Sequence, residues 1–285
     1  MTTIAITGST GFIGGRVAET LAAAGRSQRL LVRDLDRAPV LPGAVAFKAS
    51  FSDRESAHAA LRGVGTVLMV SASESRYRLD EHRTFIDAVQ AAGVRHIVYV
   101  SFLGAAPDAT FTLARDHFAT EEHIRATGIA HTFLRDALYL DFMENLAGAD
   151  GIIRGPAGEG RSAGVSRADV AAVAAAVLQS PAEHRNATYD LTGPEALSMS
   201  EIAATIADVR GKPFGFHDES LTEAYESREK WSPEPWQADA WVSTYAAIAA
   251  GEMVTHSDTG ISDDVEKVIG RRPLSLREVL EASER

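Results

Sequence analysis

The sequence contains no cysteine among its 285 residues. Disulfides, thiolate nucleophiles and cysteine metal sites are therefore excluded. Cationic residues are in deficit: 28 Lys and Arg against 39 Asp and Glu give a formal net charge of −11. That balance argues against non-specific binding to nucleic acid or to anionic membrane surfaces. No stretch approaches the ~20 apolar residues that span a bilayer. The N-terminus runs straight into a strand pattern instead of a basic segment followed by an apolar run. A soluble chain of the cytoplasm is expected, with no nucleic-acid or membrane partner. His58, His82, His96, His123, His131, His184, His217 and His256 show no metal-ligand spacing, so no metal is expected. Internal repeats and low-complexity tracts are likewise missing. What is abundant is apolar content, 45% of the residues, enough for a sizeable core. The length allows one large domain, or one domain with a smaller lobe.

The stretch from Thr2 to Arg33 organises the rest. Thr3-Ile4-Ala5-Ile6-Thr7 is apolar and β-branched, as a buried strand should be. Gly8, Gly11 and Gly14 follow at once. An amphipathic helix then runs from about Phe12 to Ala24, with Ile13, Val17, Leu21 and Ala24 on one face, and Gly25 sits where a C-cap prefers glycine. Arg29-Leu30-Leu31-Val32 is a second strand. Strand, glycine turn, helix and strand within ~30 residues make the context in which a glycine pattern implies a dinucleotide site. Gly8 allows the tight turn, Gly11 lets the backbone approach a pyrophosphate, and Gly14 lets the helix pack close to the sheet. The N–H groups at the helix start, around Thr10, Phe12 and Ile13, would hold the anion. Arg33 ends the second strand, where an acidic residue would bind the ribose 2′-OH of NAD and an arginine suits a 2′-phosphate. NADP(H) is therefore the expected cofactor. The alternative for Arg33 is a surface residue paired with Asp34 or Asp36.

The remaining pattern alternates strictly as far as residue 134. Strands are expected at 45–49, 66–71, 96–101 and 130–134. Helices are expected from a capping box at Ser52-Asp53-Arg54-Glu55 to Leu61, from about Leu79 to Ala92, and from about Leu113 to Ala126. This predicts an α/β fold, a Rossmann-type doubly wound parallel sheet. Ligands then bind at the carboxyl ends of the strands. Gly8 to Gly11, Ser50 and Phe51, Ser71 to Ser73 with Ala72, Ser101 to Leu103 and Arg135 to Tyr139 all fall there, Ser50 and Phe51 near the adenine. A nucleotide-binding domain over 1–150 is expected, rejoined by a helix and strand near 165–195. A smaller, mostly helical lobe over 196–285 completes the chain. Gly151 to Gly164 reads as a loop beside the site, and Ser200 as the cap of a helix to Val209. A helical stretch from Tyr225 to Ala250, broken by Pro233 and Pro235, carries Trp231, Trp236 and Trp241, each expected mainly in the core.

Four features resemble the NmrA-like group of atypical short-chain dehydrogenases, in particular its NADPH-dependent quinone reductases and triphenylmethane dye reductases. They are Thr7-Gly8-Ser9-Thr10-Gly11-Phe12-Ile13-Gly14, the strand ending Leu31-Val32-Arg33-Asp34, the run from Glu121 to Ile129 leading into Thr132-Phe133-Leu134-Arg135, and the tail around Gly251 to Leu280. The resemblance implies hydride transfer from NADPH to a quinone-like small-molecule acceptor, and it is compatible with a homodimer. One departure matters. Many short-chain dehydrogenases use a Tyr-x-x-x-Lys pair, and the matching helix here reads His117-Phe118-Ala119-Thr120-Glu121. Oxidation of an alcohol, which needs a base for the hydroxyl proton, is disfavoured. Reduction of an electron-poor acceptor asks mainly for alignment and desolvation. A regulator that senses NADP(H) without catalysis is the alternative.

Two residues are candidates for chemistry. His117 stands where the tyrosine would be and could donate a proton near neutral pH; the competing reading is a helix-surface histidine beside Asp116. Tyr139, with Phe142 and Met143, could line an aromatic acceptor pocket or simply pack. Asp169 reads as a helix cap.

Overall fold

The computed structural model describes residues 3–229 and 234–283. Trp231 and Pro233 lie outside the described residues. The strands are β1 (Thr3–Thr7), β2 (Gln28–Val32), β3 (Ala44–Lys48), β4 (Val64–Val70), β5 (His96–Phe102), β6 (Ala130–Asp136), β7 (Ile152–Gly155), β8 (Arg161–Ser162), β9 (Ala187–Leu191), β10 (Leu197–Ser198) and β11 (Gly215–Asp218). Seven of them form one sheet in the order β3-β2-β1-β4-β5-β6-β9. The pairings β1 with β2, β1 with β4, β2 with β3 and β4 with β5 are parallel. The crossovers are made by helices α1 (Phe12–Ala23), α2 (Arg54–Leu61), α3 (Arg78–Ala91), α4 (Thr112–Ala126) and α5 (Arg167–Gln179). This is the doubly wound topology expected from the alternation, and it follows from strands too apolar to face water on either side. All seven residues of β5 are buried, whereas β3 at the edge is half-exposed.

The chain divides into two units of near-equal length. The first comprises 1–101, 116–135 and 168–189; the second comprises 102–115, 136–167 and 190–285. Residues 102–115 and 136–150, expected in the nucleotide-binding domain, thus cluster with the C-terminal residues, and the second unit nearly equals the first in length. Its core gives the reason: Phe102, Phe111, Leu140 and Ile153 are buried in one cluster with Ile202, Ile206, Tyr245 and Ile248. In the first unit, Met69, Phe85, Ile86, Val89, Tyr99, Ile124 and Phe133 share another.

Several local expectations are corrected. The cap of α2 is Asp53, whose carboxylate accepts from the backbone N–H of Glu55 and Ser56; its one-carbon arm reaches those donors. Helix α6 (Met199–Arg210) is capped by Ser198 in a capping box with Glu201, not by Ser200. The glycine-rich 151–164 stretch is not all loop. It contains β7, parallel to β11, and β8, antiparallel to β10, because Ile152 and Ile153 supply apolar strand residues and Ile153 is buried. The Tyr225–Ala250 region resolves into α7 (Leu221–Arg228) and α8 (Pro235–Ala249), with Pro235 at the first turn of α8, where its missing N–H costs nothing. Trp236 on α8 is half-buried, but Trp241 is exposed, not core. Two short helices, α9 (Asp264–Ile269) and α10 (Leu276–Ala282), end the described chain.

Candidate cofactor site

The glycine turn is built from close backbone contacts. Gly8 has φ +65°, a left-handed conformation that glycine adopts without strain. The Gly11 N–H donates to the Gly8 carbonyl at 2.9 Å. A Cβ on Gly14 would lie 2.4 Å from the Gly8 oxygen and 2.7 Å from the Thr7 oxygen, so only glycine lets α1 start there. The Val70 N–H donates to Thr7 Oγ1 at 2.9 Å, and that hydroxyl lies 3.2 Å from the Leu68 carbonyl. These bonds tie the carboxyl end of β1 to that of β4.

The turn fits a dinucleotide pyrophosphate. No side chain caps the N-terminus of α1 at Gly11, which leaves its first N–H groups and dipole to an anion. Ser9 is buried, yet its Oγ has no hydrogen-bond partner among the described residues. A buried hydroxyl normally finds one. Thr10 and Phe12 are exposed at the turn, and the Ile13 side chain is buried.

Arg33 is exposed beyond β2. The Asp34 carboxylate accepts from the Asp36 N–H, capping a 3₁₀ turn over Leu35–Arg37. Among the described residues Arg33 makes no ion pair with either aspartate. At the end of β3, the Ser50 and Ser52 hydroxyls are 2.9 Å apart, and the Phe51 ring stacks on Phe85 with centroids 4.4 Å apart.

The positions of the usual Tyr and Lys are filled and closed. His117 is buried, not on the helix surface. Arg78 Nη2 lies 2.8 Å from His117 Nε2, and Tyr99 Oη lies 2.8 Å from His117 Nδ1. Arginine only donates. His117 Nε2 must therefore accept, and Nδ1 carries the proton toward Tyr99. Burial first, then the charge of Arg78, hold the imidazole well below its ordinary pKa. It is neutral at physiological pH and does not serve as an imidazolium acid. Glu121, four residues on, is fully buried. Its carboxylate accepts from Ser101 Oγ at 2.7 Å, from Arg135 Nε and Nη2 at 2.9 and 2.7 Å, and from Arg125 Nη2 at 3.1 Å. The Ser101 hydroxyl is thereby committed to Glu121.

A further pair escaped the sequence reading. His82 Nε2 accepts from the Ala72 N–H at 2.9 Å, and His82 Nδ1 lies 2.9 Å from Thr120 Oγ1. Burial, then Arg78, push the His82 pKa down to about 3. The available signal was spacing alone: Arg78 and His82 are four apart on α3, and His117 and Thr120 three apart on α4, so each pair shares a helix face.

These histidines make the fold acid-sensitive. An unfolded histidine titrates near 6.5, while His82 and His117 stay neutral in the native state well below that. Below pH 6.5 the unfolded chain binds protons that the native one does not. Stability is thus full above that pH and falls as the pH drops. Between about pH 7.5 and 5.5 each of them costs about 1.4 kcal/mol, and buried His96, whose pKa burial lowers to about 4, adds a like amount, about 4 kcal/mol for the three. Urea unfolding at the two pH values measures this; equal unfolding free energies would contradict it.

In the second unit, Tyr139 Oη donates to Asp136 Oδ2. Burial, then Asp136, raise the phenol pKa well above 10, so Tyr139 keeps its proton near neutral pH. Phe142 is exposed, with Arg167 over its ring at 4.4 Å, whereas Met143 is buried. Asp169 is fully buried within the first turn of α5.

A glycine turn built this way, at the head of a parallel sheet wound in both directions, defines a dinucleotide-binding protein. Comparison with known proteins makes that specific: the chain belongs to the NAD(P)H-binding family, whose model matches residues 8–181. It is 31% identical to an NAD(P)H azoreductase of Xenophilus azovorans, over 98% of this chain and 97% of that one. Among solved structures it resembles an NADPH-dependent quinone oxidoreductase of Escherichia coli complexed with NADPH, at 30% identity and a TM-score of 0.89 over 99% of this chain and 100% of that one. It also resembles the Citrobacter sp. triphenylmethane reductase complexed with NADP(H), at 31% identity and a TM-score of 0.85 over 98% and 99% of the two chains.

Proposed function

We propose that this protein is a cytoplasmic NADPH-dependent reductase that passes hydride to a quinone or a similar conjugated small molecule. The observation that carries the reading is the closure of His117 and Glu121. Both are buried and bonded within the first unit, so neither supplies the base that alcohol oxidation needs. An electron-poor acceptor requires no such base. NADPH supplies the hydride when bound, and solvent supplies the proton that completes the hydroquinone. The protein's part is to bind, orient and shield. The names of the relatives, which reduce quinones, azo compounds and triphenylmethane dyes, support the same class of acceptor.

In this reading Gly8, Thr10, Gly11, Phe12 and Ile13 hold the pyrophosphate through backbone groups, and Ser9 Oγ gains its partner there. Ser50 and Phe51 flank the adenine, and Ser71, Ala72 and Ser101 lie along the path of the nicotinamide half. Arg33 takes the 2′-phosphate. Tyr139 contributes its ring to the acceptor, with Phe142 beside it.

The direct test is NADPH consumption against a panel of quinones and triphenylmethane dyes, with protein-free controls. Turnover of at least one conjugated acceptor is expected. Tight NADPH binding without any turnover would transfer the reading to a regulator that senses NADP(H). For Arg33, a charge-assisted hydrogen bond is worth ~1.5–3 kcal/mol. NADPH should therefore bind about tenfold or more tightly than NADH, and Arg33→Ala should remove most of the difference. Equal affinities in the unmodified protein would reject the assignment.

A further inference from the structure

The backbone of Ala72 is held on both sides by side chains of one helix. Its N–H donates to His82 Nε2 at 2.9 Å, and its carbonyl accepts from Arg78 Nε at 3.1 Å. Ala72 lies just past the end of β4, outside any regular element. Neither of its backbone groups is used in a helix or a strand ladder. The two side chains are anchored in turn. Arg78 Nη2 reaches His117, and His117 reaches Tyr99 on β5. His82 Nδ1–H donates to Thr120 Oγ1, whose own hydroxyl donates to the Asp116 carbonyl at 2.7 Å. Arg78, His82, Tyr99, His117 and Thr120 are all buried.

Such a network is costly where apolar side chains would pack. A cation and two imidazoles stand in a layer otherwise lined by Phe51, Phe85 and Phe133. Packing alone does not call for them. What they achieve is to fix the two peptide groups flanking Ala72 in a segment that would otherwise be a free loop at the ligand end of the sheet. The proton pattern is also fixed. Ala72 N–H and Arg78 are donors, so His82 and His117 each accept at Nε2 and donate at Nδ1.

We propose that Arg78 and His82 are positioning residues for the nucleotide: they clamp the Ala72 backbone so that Ser71 to Ser73 presents one set backbone surface to NADP(H) before it binds. The proposal rests on the reading that the cofactor lies along the glycine turn and the carboxyl end of β4. With the segment already ordered, binding does not bear the entropy of fixing it, which is how preorganisation raises affinity.

Three variants test this. His82→Leu keeps much of the volume and removes the acceptor for the Ala72 N–H. His82→Gln keeps an acceptor at nearly the same reach. Arg78→Lys keeps the charge but cannot serve Ala72 and His117 together. Dissociation constants for NADPH, and KM and kcat with an acceptor the parent reduces, are measured on the folded proteins. His82→Leu and Arg78→Lys should weaken NADPH binding about tenfold, the equivalent of one hydrogen bond's net worth. Their kcat at saturating NADPH should stay within about threefold, and His82→Gln should largely restore affinity. Parent-like binding in His82→Leu, or equal losses in the Leu and Gln variants, would overturn the clamp. A measurement on the unmodified chain covers variants that fail to fold. The Ala72 amide should be protected from hydrogen exchange in the free protein and gain little on adding NADPH; free exchange that becomes protected only with NADPH would overturn the clamp as well. Gly11→Val separates the two levels. If it binds NADPH normally, the cofactor reading itself is wrong; if it does not while His82→Leu does, only the clamp falls.

Discussion

Glu121→Ala should lower the unfolding free energy by about 3–5 kcal/mol, the loss typical of breaking a buried ion pair from one side. The carboxylate is fully buried and accepts four hydrogen bonds, from Ser101, Arg125 and twice from Arg135. Removing it takes from Arg135, whose side chain is only 23% exposed, the buried carboxylate it pairs with. It also leaves the buried Ser101 hydroxyl without that acceptor. Glu121→Gln keeps the shape and one acceptor oxygen, so it should lose less, about 1–3 kcal/mol. Urea unfolding of both variants, with exposed Arg33→Ala as a reference, measures the effect. A loss under about 1 kcal/mol for the alanine variant would show that Arg125 and Arg135 find solvent instead. The same geometry explains why a lysine is not simply restored here. An ammonium at position 121 would face two guanidinium groups.

Gly14 and Gly11 should fail in different ways. Gly14→Ala places a Cβ 2.4 Å from the Gly8 oxygen and 2.5 Å from its carbonyl carbon. Both are backbone atoms that can move only by opening the turn. The variant should lose about 1–3 kcal/mol of stability or more, and nucleotide binding with it. Gly11 is different. Its nearest neighbour to an added Cβ is the Gly8 oxygen at 3.4 Å, ordinary contact, and its φ of −101° suits any residue. Gly11→Val should therefore melt like the parent yet weaken NADPH by about tenfold to a hundredfold, as a β-branched side chain displaces the charged contacts of the pyrophosphate. Melting curves with and without NADPH distinguish the two. A Gly11 variant that gains as much stability from NADPH as the parent would remove the pyrophosphate from this turn.

The first unit was legible because its signals are local and repeated. Buried parallel strands read as continuous apolar runs, and Gly8, Gly25, Gly63, Gly93 and Gly128, all at positive φ, punctuate the turns and helix ends. The chemistry at Arg78, His82 and Tyr99 was not legible. Their contacts join β4, α3, α4 and β5, and no spacing within one segment encodes them. His117 was noticed for its place in the helix, but its burial depends on what packs over that face. The caps at Asp53 and Ser198 were each displaced from the expected serine by one or two residues. Adjacent polar residues offer several registers, and only backbone geometry selects among them. The second unit was hardest because its core is assembled from three stretches of chain, none of which carries a full hydrophobic face alone.

That interleaving bears on synthesis. The chain passes between the two units five times, and the first unit is complete at residue 189. It can fold while the remainder is still emerging from the ribosome, since domains generally fold as their sequence becomes available. The second unit cannot. Phe102, Phe111, Leu140 and Ile153 wait for Ile202, Tyr245, Ile248 and Leu280, so their apolar surface stays uncovered until the last helix is made. A nascent chain stalled or cleaved near residue 195 would carry a finished nucleotide turn beside an unfinished core, a species for chaperones rather than for catalysis.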